Sequence, residues 1–189
     1  MTRLAGPIRQ MGIVVRNLDA AIGQWCDTVG IGPFAVFRHI IMDDYHYRGE
    51  PAPSPEISLA IAHSGSTQVE IIEQHNDAAS GYRDFIAAGR EGLQHVSTWF
   101  ANAPQYDAAY ARLVEDGLEC VHKGRIGATR FAYFSRPDGS WPQVEISEAL
   151  APGSLELTQT MERLAAGWTG SPQMIDVADL AAHMENPKP

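Results

Sequence analysis

Short apolar runs rich in β-branched residues, broken by glycine and proline, fill the chain up to about residue 148. Residues 8–16 (Ile-Arg-Gln-Met-Gly-Ile-Val-Val-Arg) read as a strand, and residues 34–42 as another. Between them Asn17 is placed to cap a helix, with Ala20, Ala21, Ile22 and Trp25 at helical spacing until Gly30 ends it. Residues 56–63 and 67–74 form a hairpin around Ser64-Gly65-Ser66. The segment 43–55, polar and carrying Pro51, Pro53 and Pro55, is expected to be a loop.

The same order returns further on. A connector with Tyr82, Phe85 and Ile86 suggests a short helix ending near Gly89. Residues 93–100 then read as a strand and 106–115 as a helix stopped by Gly117. Strands at 119–126, 129–135 and 142–147 follow, with Pro137-Asp138-Gly139 as a turn. Each opening strand is followed by an Asp-Ala-Ala helix, at Asp19-Ala20-Ala21 and at Asp107-Ala108-Ala109. The expected class is α+β, two βαβββ modules at 7–74 and 92–148 joined by a connector at 75–91. A helical extension occupies 149–189. In it Leu157, Met161, Leu164 and Trp168 share one helical face, and Ser171-Pro172 is suited to open a second helix carrying Ile175, Leu180 and Met184. Such a pair is expected to cover a sheet edge or a dimer contact.

One tetrapeptide makes the repeat chemical. Gln-Val-Glu-Ile occurs at Gln68–Ile71 and again at Gln143–Ile146, closing each set of strands. Alternate strand residues share a face, so Gln and Glu of each copy point one way and Val and Ile the other. Two equivalent strands thus aim a carboxylate at one place.

The formal net charge of −9, with no basic block to offset it, argues against a nucleic-acid or anionic-membrane surface. Two cysteines, Cys26 and Cys120, make no disulfide scaffold and sit among apolar neighbours, as buried structural thiols do. No window reaches the roughly 18 apolar residues a membrane span needs. A cytoplasmic protein acting on a small molecule, without nucleic-acid or membrane partners and as a homodimer, is the expectation.

Gln10, Glu70, His95 and Glu145 lie on strands that the repeat makes equivalent. The stretches Gln10-Met-Gly-Ile-Val-Val-Arg-Asn-Leu-Asp-Ala-Ala, Gly92-Leu-Gln-His95-Val, Val69-Glu70-Ile and Val144-Glu145-Ile resemble the vicinal oxygen chelate superfamily, which includes glyoxalase I and methylmalonyl-CoA epimerase. The likeness spans roughly residues 7–148. It implies that each module curls into a half-barrel and that the pair holds one divalent metal, Zn, Ni, Co, Mn or Mg, through Gln10, Glu70, His95 and Glu145. Gln10 stands where many members have His, and this Gln, Glu, His, Glu set is similar to that of glyoxalase I. One imidazole with carboxylate and amide oxygens suits a Lewis-acid ion with open sites better than redox iron.

The resemblance implies a metal-dependent lyase or isomerase, epimerase-like, that moves a proton next to a carbonyl, with Glu145 and Glu70 as base and acid. Two alternatives stand beside it: a metal-free protein that sequesters an apolar compound, and a hydrolytic or ring-opening enzyme using the same ligands. His46 and Arg48, in the dense polar run from Asp43, are candidates for a substrate clamp or for an ordinary exposed loop. Arg130 and Tyr133 are candidates to bind a substrate carboxylate or carbonyl. His39, His63, His75, His122 and His183 show no spacing that ties them to the site. Among the aromatics, Phe34, Phe37, Trp99, Phe131 and Trp141 are expected in the core or along an apolar pocket.

Overall fold

The computed structural model describes residues 6–140 and 142–180, so Trp141, His183 and Met184 lie outside the described residues. Eleven strands form one mixed sheet: β1 Gln10–Val14, β2 Phe34–Ile41, β3 Asp43–Tyr47, β4 Glu50–Pro51, β5 Glu56–Ser64, β6 Thr67–Gln74, β7 Gly92–Trp99, β8 Glu119–Ile126, β9 Thr129–Ser135, β10 Gln143–Ser147 and β11 Met174–Asp176. Four helices lie wholly within the described residues: α1 Leu18–Gln24, prolonged by a π-helical turn over Trp25–Val29, α2 Gly81–Ala87, α3 Ala103–Glu115 and α4 Pro152–Gly167. The fold is α+β, with a mixed sheet that does not close into a barrel.

Spatial order across the sheet is β11-β2-β5-β6-β1-β7-β10-β9-β8-β3-β4. β1 runs parallel to β6 with Gln10 opposite Gln68, and β7 runs parallel to β10 with His95 opposite Gln143. The two halves join where β1 and β7 pair antiparallel. The order β1-β6-β5-β2 on one side of that seam is matched by β7-β10-β9-β8 on the other.

Strand alternation sorts the side chains into two layers. Val69 and Ile71 of β6 join Leu18 and Ile22 of α1 in one apolar cluster. Ile146 of β10 and Phe134 of β9 join Tyr106, Ala109 and Leu113 of α3 in another. The opposite face carries Val14, Leu59, Ile61, Ile72, Phe131 and Tyr133, and Met161 of α4 packs into it. The Asn17 side chain caps α1 by accepting from the Ala20 N–H, and Gly30 ends the turn at φ 76°, where a glycine is at ease.

Two expectations fail. Residues 43–47 and 50–51 are not loop: β3 pairs with β8, and β4 with β3. Proline is tolerated there because β4 is the sheet's last strand, where no neighbour needs its missing N–H. Ser171-Pro172 does not itself open the second helix: residues 174–176, Ile175 among them, extend and add β11 beside the start of β2, and helical backbone begins only at residue 177, taking in Leu180. Cys26 and Cys120 are free thiols, and burial raises the pKa of each. Among the described residues no helix is long and apolar enough to cross a membrane.

Candidate active site

The four strands around the seam, β6, β1, β7 and β10, each contribute one polar side chain to the same floor. Gln10, Glu70 and Glu145 line a cavity of about 180 Å³ on the face away from α1 and α3, and His95 is wholly buried beside them. Its walls are apolar, built from side chains such as Phe37, Ile57, Leu59, Ile61, Trp99 and Phe131. Ser154, Leu157 and Thr158 of α4 complete the lining, so the extension roofs the cavity. Thr129 Oγ1 and Ser154 Oγ, 2.8 Å apart, tie that roof to β9.

A chain of amides fixes the imidazole. Gln94 Nε2 donates to Gln143 Oε1 at 2.8 Å, leaving Gln94 Oε1 to face His95 Nδ1 at 2.6 Å. Because that oxygen can only accept, Nδ1 carries the proton and Nε2 presents a lone pair. Nε2 lies 3.4 Å from Glu70 Oε2 and 3.5 Å from Glu145 Oε2. The ring fits only because Gly12 stands directly across the seam, and a Cβ at that position would fall inside the imidazole. A glycine in a strand interior often marks such a close approach, and this was the available signal for Gly12.

Gln10 is held in an analogous way. Its Nε2 donates to Gln68 Oε1 at 2.7 Å, and Gln68 Nε2 meets His63 Nε2 at 3.3 Å. Gln10 Oε1 and Glu145 Oε2 are then buried without a hydrogen-bond partner. A buried acceptor left unpaired is costly, and here three lone-pair groups, on Glu70, His95 and Glu145, face one another. Burial first, and the neighbouring Glu70 charge second, push the Glu145 carboxyl well above the usual range. Such a cluster calls for a cation or for protons.

The two carboxylate distances from His95 Nε2, 3.4 and 3.5 Å, fall in the range that ligands of one cation show. Adjacent ligands at about 2.0–2.2 Å from one ion, at tetrahedral to octahedral angles, stand about 2.8–3.6 Å apart. Among the described residues no group of three or more His, Cys, Asp or Glu side chains stands placed as it is to hold a metal ion. The donors here are two carboxylates, one imidazole and an amide oxygen, and the unpartnered oxygens of Gln10 and Glu145 are the observation that fits them to a metal.

Beside this floor stands a pair of tyrosines. Tyr82 donates to the Tyr133 oxygen at 3.0 Å, and Tyr133 Oη lies 3.5 Å from His95 Nε2. Burial raises both phenols well above their ordinary value, so both stay protonated donors. Tyr82 entered the sequence reading only as a helix residue; nothing in its local pattern points into a cavity.

The other candidates lie elsewhere. Arg130 and Tyr133 share β9 but are three residues apart, so they occupy opposite faces. Arg130 pairs with Glu148 at 2.6 Å and Asp107 at 3.1 Å and stacks over Tyr106, on the α3 side. His46 and Arg48 sit at the far edge of the sheet. His46 bonds the Asp44 carbonyl, and Arg48 holds Asp84. Two histidines without telling spacing do reach the neighbourhood. His63 contacts Gln68, and His122 packs against Tyr133 with ring centroids 4.3 Å apart.

A family model described as Glyoxalase/Bleomycin resistance protein/Dioxygenase superfamily matches residues 9–134. Solved structures share the fold at low identity. A variant methylmalonyl-CoA epimerase of Streptomyces coelicolor in complex with 2-nitronate-propionyl-CoA is 17% identical, with a TM-score of 0.51 over 74% of this chain and 92% of its own. A methylmalonyl-CoA epimerase from Mycobacterium tuberculosis is 20% identical, with a TM-score of 0.51 over 78% and 90%. A hypothetical protein from Bacillus halodurans is 14% identical, with a TM-score of 0.51 over 75% and 92%. No curated protein sequence matches the chain.

Proposed function

The chain belongs to the glyoxalase/bleomycin resistance protein/dioxygenase superfamily, and from that premise we propose that it is a divalent-metal-dependent isomerase or lyase moving a proton next to a carbonyl. The observation that carries this reading is the convergence of Glu70 and Glu145 to within 3.5 Å of His95 Nε2, on the floor of an apolar cavity. Gln10 Oε1, Glu70, His95 Nε2 and Glu145 would hold the ion, which when bound supplies a Lewis acid for the substrate's carbonyl oxygen.

The chain's own groups do the rest. Glu145 is the general base: burial disfavours the charge on its carboxylate, which gains by accepting a proton. Glu70, 3.4 Å from His95 Nε2, would return a proton, which permits epimerisation. Tyr133, whose oxygen accepts from Tyr82, faces His95 Nε2 at 3.5 Å; with Nε2 engaged by an ion, its proton would be available for a hydrogen bond to negative charge developing on the substrate oxygen. The apolar walls keep water out and strengthen each of these interactions.

The test is metal content combined with isotope exchange. The protein stripped with chelator and reloaded should retain one divalent ion per chain, and His95→Ala should lose it. Glu145→Gln keeps an oxygen donor of nearly the same volume but no base, so it should hold the ion while the α-hydrogen of a bound ketone stops exchanging with deuterium. Unchanged metal content in His95→Ala would remove the proposed centre. Exchange persisting in Glu145→Gln would move the base to Glu70. A ligand that binds tightly yet never exchanges would favour sequestration, which the roofed apolar cavity also suits.

A further inference from the structure

We infer that the substrate is a compact, uncharged, largely apolar carbonyl compound of about one ring and a short polar end, and not a phosphate-bearing thioester. The inference deepens the proton-transfer reading and rests on it.

Size is the first argument. A cavity near 150 Å³ holds a benzene molecule, so about 180 Å³ leaves room for one six-membered ring with a short substituent. That room is bounded overhead by Leu157 and Thr158 of α4, and α4 is not a loose flap. Met161 in its middle is wholly buried among the cavity-side apolar residues, and Ser154 is bonded to Thr129.

Charge is the second. Among the described residues, the cavity lining contains no Lys or Arg to meet a phosphate. On β9 the guanidinium of Arg130 faces the opposite side of the sheet, already held by Glu148 and Asp107. The net charge of −9 repels a polyanion further.

Polarity is the third. Carboxylates, amides and the two tyrosine hydroxyls gather at the floor, whereas Phe37, Ile57, Leu59, Trp99 and Phe131 form the walls. The complementary ligand carries its oxygen at one end and hydrocarbon over the rest. An aryl ketone or an aryl α-hydroxyketone has that shape.

The experiment uses the full chain loaded with metal. Calorimetric titration compares acetophenone and 2-hydroxyacetophenone with methylmalonyl-CoA, and proton NMR in deuterium oxide follows α-hydrogen exchange in each. The aryl ketones should bind saturably and at least tenfold more tightly than the thioester. Leu157→Trp fills the roof and should weaken ketone binding at least tenfold with metal content unchanged. Leu157→Phe, a milder change, should weaken it less, and keeps the test open if the tryptophan variant misfolds. Thioester binding as tight as the ketones', no ketone binding at all, or both variants binding ketone as wild type does would each overturn the inference. Normal ketone binding without exchange would instead strike the proton-transfer reading and leave the substrate class standing. Exchange of the thioester alone would do the reverse.

Discussion

Gly12 carries more of the site than its lack of a side chain suggests. Its strand is hydrogen-bonded on both sides, to β6 and to β7, so it cannot withdraw to admit a methyl group. Gly12→Ala should therefore displace the His95 ring, lower metal affinity at least tenfold, and cost about 1–3 kcal/mol in stability. Metal titration and thermal unfolding of the variant check both. His63 offers a second test. Burial lowers its pKa to about 4, against an ordinary 6.5. Between those values the unfolded chain binds a proton that the folded chain refuses. Stability is thus fully present above about pH 6.5 and falls as the pH drops toward 4, by about 3 kcal/mol for this group. Metal-free His63→Gln should show a flatter acid limb in urea unfolding. At this scale legibility followed symmetry. Gln10, Glu70, His95 and Glu145 stood out because the repeated tetrapeptide and the matching first strands made them equivalent. Gly12, Gln94 and Tyr82 did not, because their roles depend on contacts with a neighbouring strand or from α2. Arg130 misled because the count of three from Tyr133 was not turned into opposite faces.

Among the elements, α4 joins architecture to specificity. Met161→Ala removes a wholly buried side chain from beneath the roof and should cost about 2–5 kcal/mol. If the roof is what bounds the ligand, the variant should also admit a naphthyl ketone that the wild type rejects, as read by calorimetry. Faster hydrogen exchange confined to 152–167 would accompany the change. The periodicity of Leu157, Met161 and Leu164 made this helix readable, and its position over the cavity was not, because nothing local says which face of the sheet it covers. β3 was unreadable for a different reason. Asp43-Asp44-Tyr45-His46-Tyr47 has the composition of a loop, and only its pairing with β8 makes it a strand. β11, three residues long, likewise owes its shape to β2.

Over the whole molecule the proposed ligands divide evenly: Gln10 and Glu70 come from one side of the seam, His95 and Glu145 from the other. A bound ion therefore stabilises both halves at once. With free metal at 100 times its Kd, unfolding should become harder by about 2.7 kcal/mol in one transition, and His95→Ala should abolish the increment. Calorimetric scans with and without metal measure it, and two separate transitions would count against joint stabilisation. That the chain holds two sets of elements in the same sequential order was legible from the repeat. The way the sheet's two flanks are tied was not. Ile41, the last residue of β2, pairs with Glu56 of β5, and Asp43, the first of β3, pairs with Arg125 of β8. Only the buried Met42 lies between them. Two steps of backbone reach at most about 7.6 Å, so the flanks are strapped together at a fixed gauge. The sheet cannot part along that edge, and what a ligand meets on its way in or out is set by the rest of the cavity's rim, α4 included.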